Sequence, residues 1–189
     1  MKKWMAIFVL ICGGLYAQEQ TLLDSEFESG GFGGPVVKFS QVMDDFAVFM
    51  GGRGGWIINH TLAIGGGGYG LVNNIPAPEN PDYIMVLGYG GIELTYIIAS
   101  DRLIHTNIYA LIGGGSLDFR ERGYEDDTYD GDTFFIVEPG VDMIVNMTSF
   151  FRIGLGIHYR LISEVDYPGI LNEDLDGPSV SVTFKFGHF

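Results

Sequence analysis

His158, Ser163 and Glu164 could between them supply a base, a nucleophile and an orienter, the set that acyl transfer or hydrolysis needs within hydrogen-bond reach. The spacing argues against it. Ser163 lies five positions after His158, an odd offset that puts them on opposite faces of a strand, so no catalytic residue is assigned. A second chemistry is metal binding. Asn172-Glu173-Asp174-Leu175-Asp176-Gly177 follows the opening of a calcium loop, with Asn172, Asp174 and Asp176 as the candidate ligands. Thr183 stands where the bidentate Glu belongs, and Asp126 to Asp132 is similarly acidic and incomplete. The expectation is loop charge that holds Ca2+ loosely and no dedicated cofactor. A third chemistry, phosphate cradling, is suggested by the runs Gly51 to Gly55 and Gly65 to Gly68. It fails because a phosphate loop must open a helix, and no helical pattern follows them.

The charges set inside apolar stretches are more informative. Lys38, Arg53, Glu93, Glu138, Asp142, Arg152, His158, Arg160 and Lys185 mix both signs. Groups of this kind can pair with one another, or exchange partners along a narrow conducting path. Which they do depends on the elements that carry them.

Those elements read as strands. Polarity alternates with period two over about 34–40, 45–58, 60–72, 83–99, 103–117, 132–145, 150–162 and 179–189. In Arg152 to Leu161, the residues Ile153, Leu155, Ile157, Tyr159 and Leu161 share one face. Arg152, His158 and Arg160 share the other with two glycines. Parity turns the whole charged set, with His105 and Asn107, to one side. A lipocalin-like soluble barrel would have the opposite arrangement, so the apolar face is assigned to lipid and the polar face to a lumen. Pro139 falls inside the sixth strand and predicts a bulge, which leaves the parity of Asp142 open.

The connections alternate in length. Asn59, Ser100 to Arg102 and Asn146 to Ser149 are tight, whereas Asn73 to Asp82, Asp118 to Gly131 and Glu164 to Pro178 are long and acidic. The connection around Val42-Met43-Asp44 is short although it belongs to the long side. Unequal ends of this kind mark a transmembrane β-barrel with its long loops outside the cell. The 29 glycines fall mostly within strands, where missing side chains relieve crowding in a small curled barrel and make room for Tyr69, Tyr89 and Tyr109. The alternative reading is a smooth outer groove on strands two to five.

The start of the chain agrees with export. Lys2 and Lys3 precede an apolar run, Trp4 to Cys12, and Ala17 ends the pattern of a signal peptide over 1–17. Cleavage there leaves a tail over 18–33, a barrel over 34–189 and no thiol, which excludes disulfides and cysteine-bound metals. The formal charge moves from −14 to −16, so nucleic acid is not a partner. Hydrophobic content is 47%, yet no mature segment is a continuous apolar helix span, and only a closed barrel could satisfy its backbone in lipid.

Alternating strands, unequal loops and the ending Val180 to Phe189 together resemble the small outer-membrane barrels typified by outer membrane proteins A and X. The glycine-rich strands also look like those of uncharacterised Bacteroidota-type barrels. The resemblance implies an all-β, closed, up-and-down antiparallel barrel of about eight strands in the cell outer membrane. It also implies contact with lipopolysaccharide and with the barrel-assembly machinery, which reads a terminal aromatic residue. Phe189 fits that role, but Val182, Phe184 and Phe186 are out of phase with it, so Phe186 is the second candidate. The expected function is non-enzymatic, structural or surface-interacting, with a possible protein partner and a lumen plugged by ion pairs. A narrow porin-like ion pore is the next reading, and a lipid A-modifying enzyme the third.

Overall fold

The computed structural model describes residues 28–78, 80–122 and 131–189. The expected signal segment, most of the expected tail and the acidic cluster Asp126 to Asp130 lie outside the described residues. Eight strands run β1 Ser29–Val42, β2 Asp45–Ile58, β3 Leu62–Leu71, β4 Tyr83–Ile98, β5 Ile104–Glu121, β6 Asp132–Asn146, β7 Phe151–Ser163 and β8 Gly177–His188. Each pairs antiparallel with its sequence neighbour, and β1 pairs with β8 to close the barrel. A four-residue helix, α1 (Asn172–Leu175), precedes β8.

Three sequence expectations are corrected. The barrel begins at Ser29, so residues 29–33, expected as tail, are strand paired with Gly54 to Ile58. The alternation is hidden there because five of the first six residues of β1 are glycine or serine. β5 extends to Glu121, four residues beyond the expected end, so this wall of the barrel rises higher. Pro139 makes no bulge. The β6–β7 register is the same on both sides of it, Val137↔Leu161 and Gly140↔His158, so the proline, which has no N–H to donate, interrupts the ladder without inserting a residue. Asp142 therefore keeps its inward parity, 1% exposed.

The tight connections have a local cause. Met43 and Asp44 both have φ near +60° (52° and 64°), as do Asn59 and His60 (48° and 52°), the primed-turn conformation whose twist matches antiparallel strands. The long connections lie at the opposite end from the Asn59, Ala99 and Met147 turns. The outer surface is apolar between two aromatic rims. Trp56, Tyr96, Phe150 and Phe186 face outward near the tight-turn end, and Phe39, Phe46, Phe135 and Tyr159 near the long-loop end. Ile64, Ile92, Ile108, Ile112, Val141, Leu155 and Ile157 lie exposed between them. A belt of this kind is stable only against hydrocarbon.

The orientation gives an expected result. A cysteine replacing exposed Asn172, on the long-loop side, should react on intact cells with a membrane-impermeant thiol reagent, and one replacing Asp101 should not. Labelling of Asp101→Cys alone would reverse the topology.

Candidate functional site: the lumen and its outer cap

Inward-facing side chains form three levels. Nearest the long loops the lumen is apolar: Val42, Ala47, Phe49, Leu87, Leu117, Phe134 and Ile136 pack together. Ile75, Ile170 and Leu175 from the loops close over them. Sequence parity identified the inward positions but not this apolar upper half, and it did not show that the last long loop folds back as a cap. Arg160 holds that cap. Its Nε donates to the Leu175 carbonyl at 2.7 Å and its Nη2 to the Gln41 carbonyl at 3.0 Å, while Met43 N–H reaches the Asp174 carbonyl at 2.7 Å.

The middle level is a polar chain crossing the barrel. Lys38 Nζ lies 2.6 Å from Glu138 Oε1, and Tyr89 Oη donates to Glu138 Oε2 at 2.8 Å. His158 stands between two carboxylates, Nδ1 at 3.3 Å from Glu138 and Nε2 at 2.8 Å from Asp142. Arg53 completes the chain on Asp142 Oδ2 at 2.5 Å. Beside it, Glu93 Oε1 accepts hydrogen bonds from Tyr69 at 2.6 Å and Tyr109 at 3.0 Å. Lys38 also sits 3.5 Å from the centre of the Tyr69 ring.

Space for this chain comes from glycine. A Cβ on inward-facing Gly67 would strike the Glu93 carboxylate and the Tyr69 hydroxyl, and one on Gly140 would strike the His158 ring. This supports the crowding account of the strand glycines. A side-chain-free belt does also exist outside, where Gly52, Gly68, Gly90 and Gly114 pair in register across β2 to β5.

The third level, nearest the tight turns, holds His105, Asn107, Thr183, Lys185 and Arg152, closed by Phe32, Ile57, Ala63, Ile97 and Phe189. Arg152 stacks on the Phe189 ring at 3.9 Å. Phe189 therefore turns into the barrel mouth, whereas Phe186 faces outward.

All nine charged candidates point inward, as parity required, but they do not form one network. Lys38, Glu138, His158, Asp142 and Arg53 come together. Among the described residues, Glu93 is bonded to tyrosines, Arg160 to backbone carbonyls, and Arg152 and Lys185 to no carboxylate. Arg152 lies at the opposite end of β7 from Arg160, away from that chain.

The other chemistries fare differently. His158 is buried on both carboxylates, while Ser163 is exposed on the other face at the strand end, so no nucleophile–base pair forms there. In the loop, Asn172 Oδ1 accepts Val165 N–H, Asp174 Oδ2 accepts Leu171 N–H and Asp176 Oδ1 accepts Ile162 N–H. These oxygens shape the cap rather than converge on one point, and among the described residues no group of three metal-ligating side chains does so.

A closed eight-stranded antiparallel barrel, apolar outside and with its charged side chains turned inward, is the outer-membrane class of β-barrel. No protein-family model and no curated protein matches the sequence. Solved structures do match the fold. Neisserial surface protein A superposes with a TM-score of 0.62 at 13% identity, over 85% of this chain and 97% of that one. The attachment invasion locus protein of Yersinia pestis, in complex with the heparin analogue sucrose octasulfate, superposes with a TM-score of 0.54 at 11% identity, over 86% and 99%.

Proposed function

We propose that the protein is a non-enzymatic outer-membrane barrel whose lumen is plugged and whose work is done by its outer loops, in a structural or surface-interaction role. The observation that carries this reading is the combination of the Lys38–Glu138–His158–Asp142–Arg53 chain with the apolar cap above it. Eight strands leave barely enough room for side chains, and here both levels are filled. With the interior occupied, the exposed surface available for recognition is the loop end.

That end carries an excess of negative charge. Asp44, Asp45, Asp82, Glu164, Asp166 and Glu173 are exposed there, against Arg120 and Arg122 among the described residues. A concentrated negative field attracts cationic partners and repels polyanions. The partner chemistry is therefore a cationic protein segment, in contrast to the sulfated polyanion held by the Yersinia barrel. Lipopolysaccharide surrounds the outer rim, with divalent cations bridging it loosely to the loops, and the barrel-assembly machinery inserts the protein through its aromatic terminal strand.

Binding of intact expressing cells to immobilised poly-lysine and to immobilised heparin tests the reading. Poly-lysine should be preferred, and changing Asp82, Asp166 and Glu173 to Asn, Asn and Gln should weaken the preference several-fold at low salt. Equal binding by the variant would remove the loops as the recognition surface. Altered lipid A acylation on expression would point to an enzyme instead.

A further inference from the structure

Arg152 and Lys185 are direct cross-strand partners on β7 and β8, and both face the lumen. Like charges opposite one another repel, and in a buried setting each also needs a counter-charge. Lys185 is only 5% exposed, yet among the described residues it has no carboxylate within ion-pair distance and no hydrogen-bond partner. Arg152 is half-buried, and its Nε is buried without a partner. What they have is aromatic: Phe32 at 4.8 Å from Lys185 Nζ and Phe189 at 3.9 Å from the Arg152 guanidinium. Asp142, the nearest carboxylate level, already gives one oxygen to Arg53 and the other to His158. Asp101 lies outside, in a tight turn, and is exposed.

These two cations line a small cavity of about 10 Å³ together with Asn107, His105 and Thr95. His105 Nδ1 and Asn107 Oδ1 on the cavity wall are buried without partners, as is Thr183 Oγ1, two residues before Lys185 on β8 and off that wall. A threonine hydroxyl and an imidazole nitrogen can donate, and an amide can be turned to present its NH2. Several unmet groups around two facing cations make a built site for negative charge. The volume is that of about one water molecule, so a phosphate or carboxylate ligand does not fit, and among anions only a monatomic one is of comparable size. Just outside, a vestibule of about 490 Å³ between the tight turns is lined by His60, Asn146, Arg152 and Phe189, so the Arg152–Phe189 pair stands between the site and the periplasm.

We propose that this end of the lumen binds one halide ion, chloride in the cell, bridging Lys185 and Arg152. The anion neutralises a cation pair that the protein's own carboxylates leave unmet, and it enters from the periplasmic vestibule.

Bromide replaces chloride and scatters anomalously, so crystals of the folded barrel grown in bromide test the site directly. An anomalous peak between Lys185 and Arg152 is expected, absent in Lys185→Met and retained in Arg152→Lys. In solution, replacing sodium gluconate by sodium bromide at constant ionic strength should raise the unfolding midpoint of the wild type by about 3 °C. The rise should vanish in Lys185→Met. No peak in wild-type crystals, or a midpoint shift that persists in Lys185→Met, would overturn the proposal and leave water as the occupant. Should Lys185→Met fail to fold, the wild-type peak and the Arg152→Lys variant still decide it.

Discussion

Glu138→Ala should destabilise the barrel by about 3–5 kcal/mol, because it leaves Lys38 charged, 0% exposed and without a carboxylate. The lost partners are specific: Lys38 at 2.6 Å, Tyr89 at 2.8 Å and His158 at 3.3 Å. Urea unfolding of the detergent-folded barrel, followed by fluorescence of Trp56, reads the change. Glu173→Ala, on an exposed outer residue, should move stability by less than about 0.5 kcal/mol. Adding Lys38→Met to Glu138→Ala should recover a large part of the loss, since the uncompensated charge is then gone. Adding Arg152→Leu should recover none. Rescue by Arg152→Leu, or equal small effects at Glu138 and Glu173, would mean that the chain crossing the lumen is not built as described.

The second large effect comes from a residue with no side chain at all. Gly156 faces the lumen beside the Asp142–His158 bond, and a Cβ there would stand 2.6 Å from His158 Nε2 and 2.6 Å from Ser181 Oγ. His158 has little freedom to move away, since it is bonded to both carboxylates and packs 4.8 Å from the Tyr109 ring. Gly156→Ala should therefore cost about 2–3 kcal/mol, as an overpacked core with a broken polar contact does. Gly70→Ala is the matched control, because a Cβ at Gly70 meets nothing within 4 Å. It should be neutral or stabilising by about 0.4–1 kcal/mol, through the loss of unfolded-chain entropy. Similar costs at both positions would make strand propensity, not lumen crowding, the reason for the glycines.

The contrast between Glu138 and Arg152 also shows what could be read from the chain itself. Inward parity was legible, since alternation in lipid-facing strands leaves no other place for Lys38, Arg53 or Arg160. Pairing across the barrel was not. It depends on the stagger between strands far apart in sequence, such as β1 and β6 for Lys38 and Glu138, and on how far each long side chain climbs along the lumen. The hairpin at Met43-Asp44 was legible as a short connection, but its conformation was not, because neither residue is the asparagine or glycine that usually signals positive φ. The start of β1 was hidden by glycines that carry no polarity. The cap was hidden for a different reason. Asn172, Asp174 and Asp176 are residue types shared by metal loops and by loops that bond their own backbone, and only the fold distinguishes the two.

The plug we propose runs from the Lys38–Glu138–His158–Asp142–Arg53 chain up to the Leu175 cap. Reconstitution of the folded barrel in planar lipid bilayers tests it most directly. With the wild-type protein the membranes should stay electrically silent, whatever the salt. Discrete, reproducible ion conductance by the wild-type barrel would contradict it and make the protein a narrow pore.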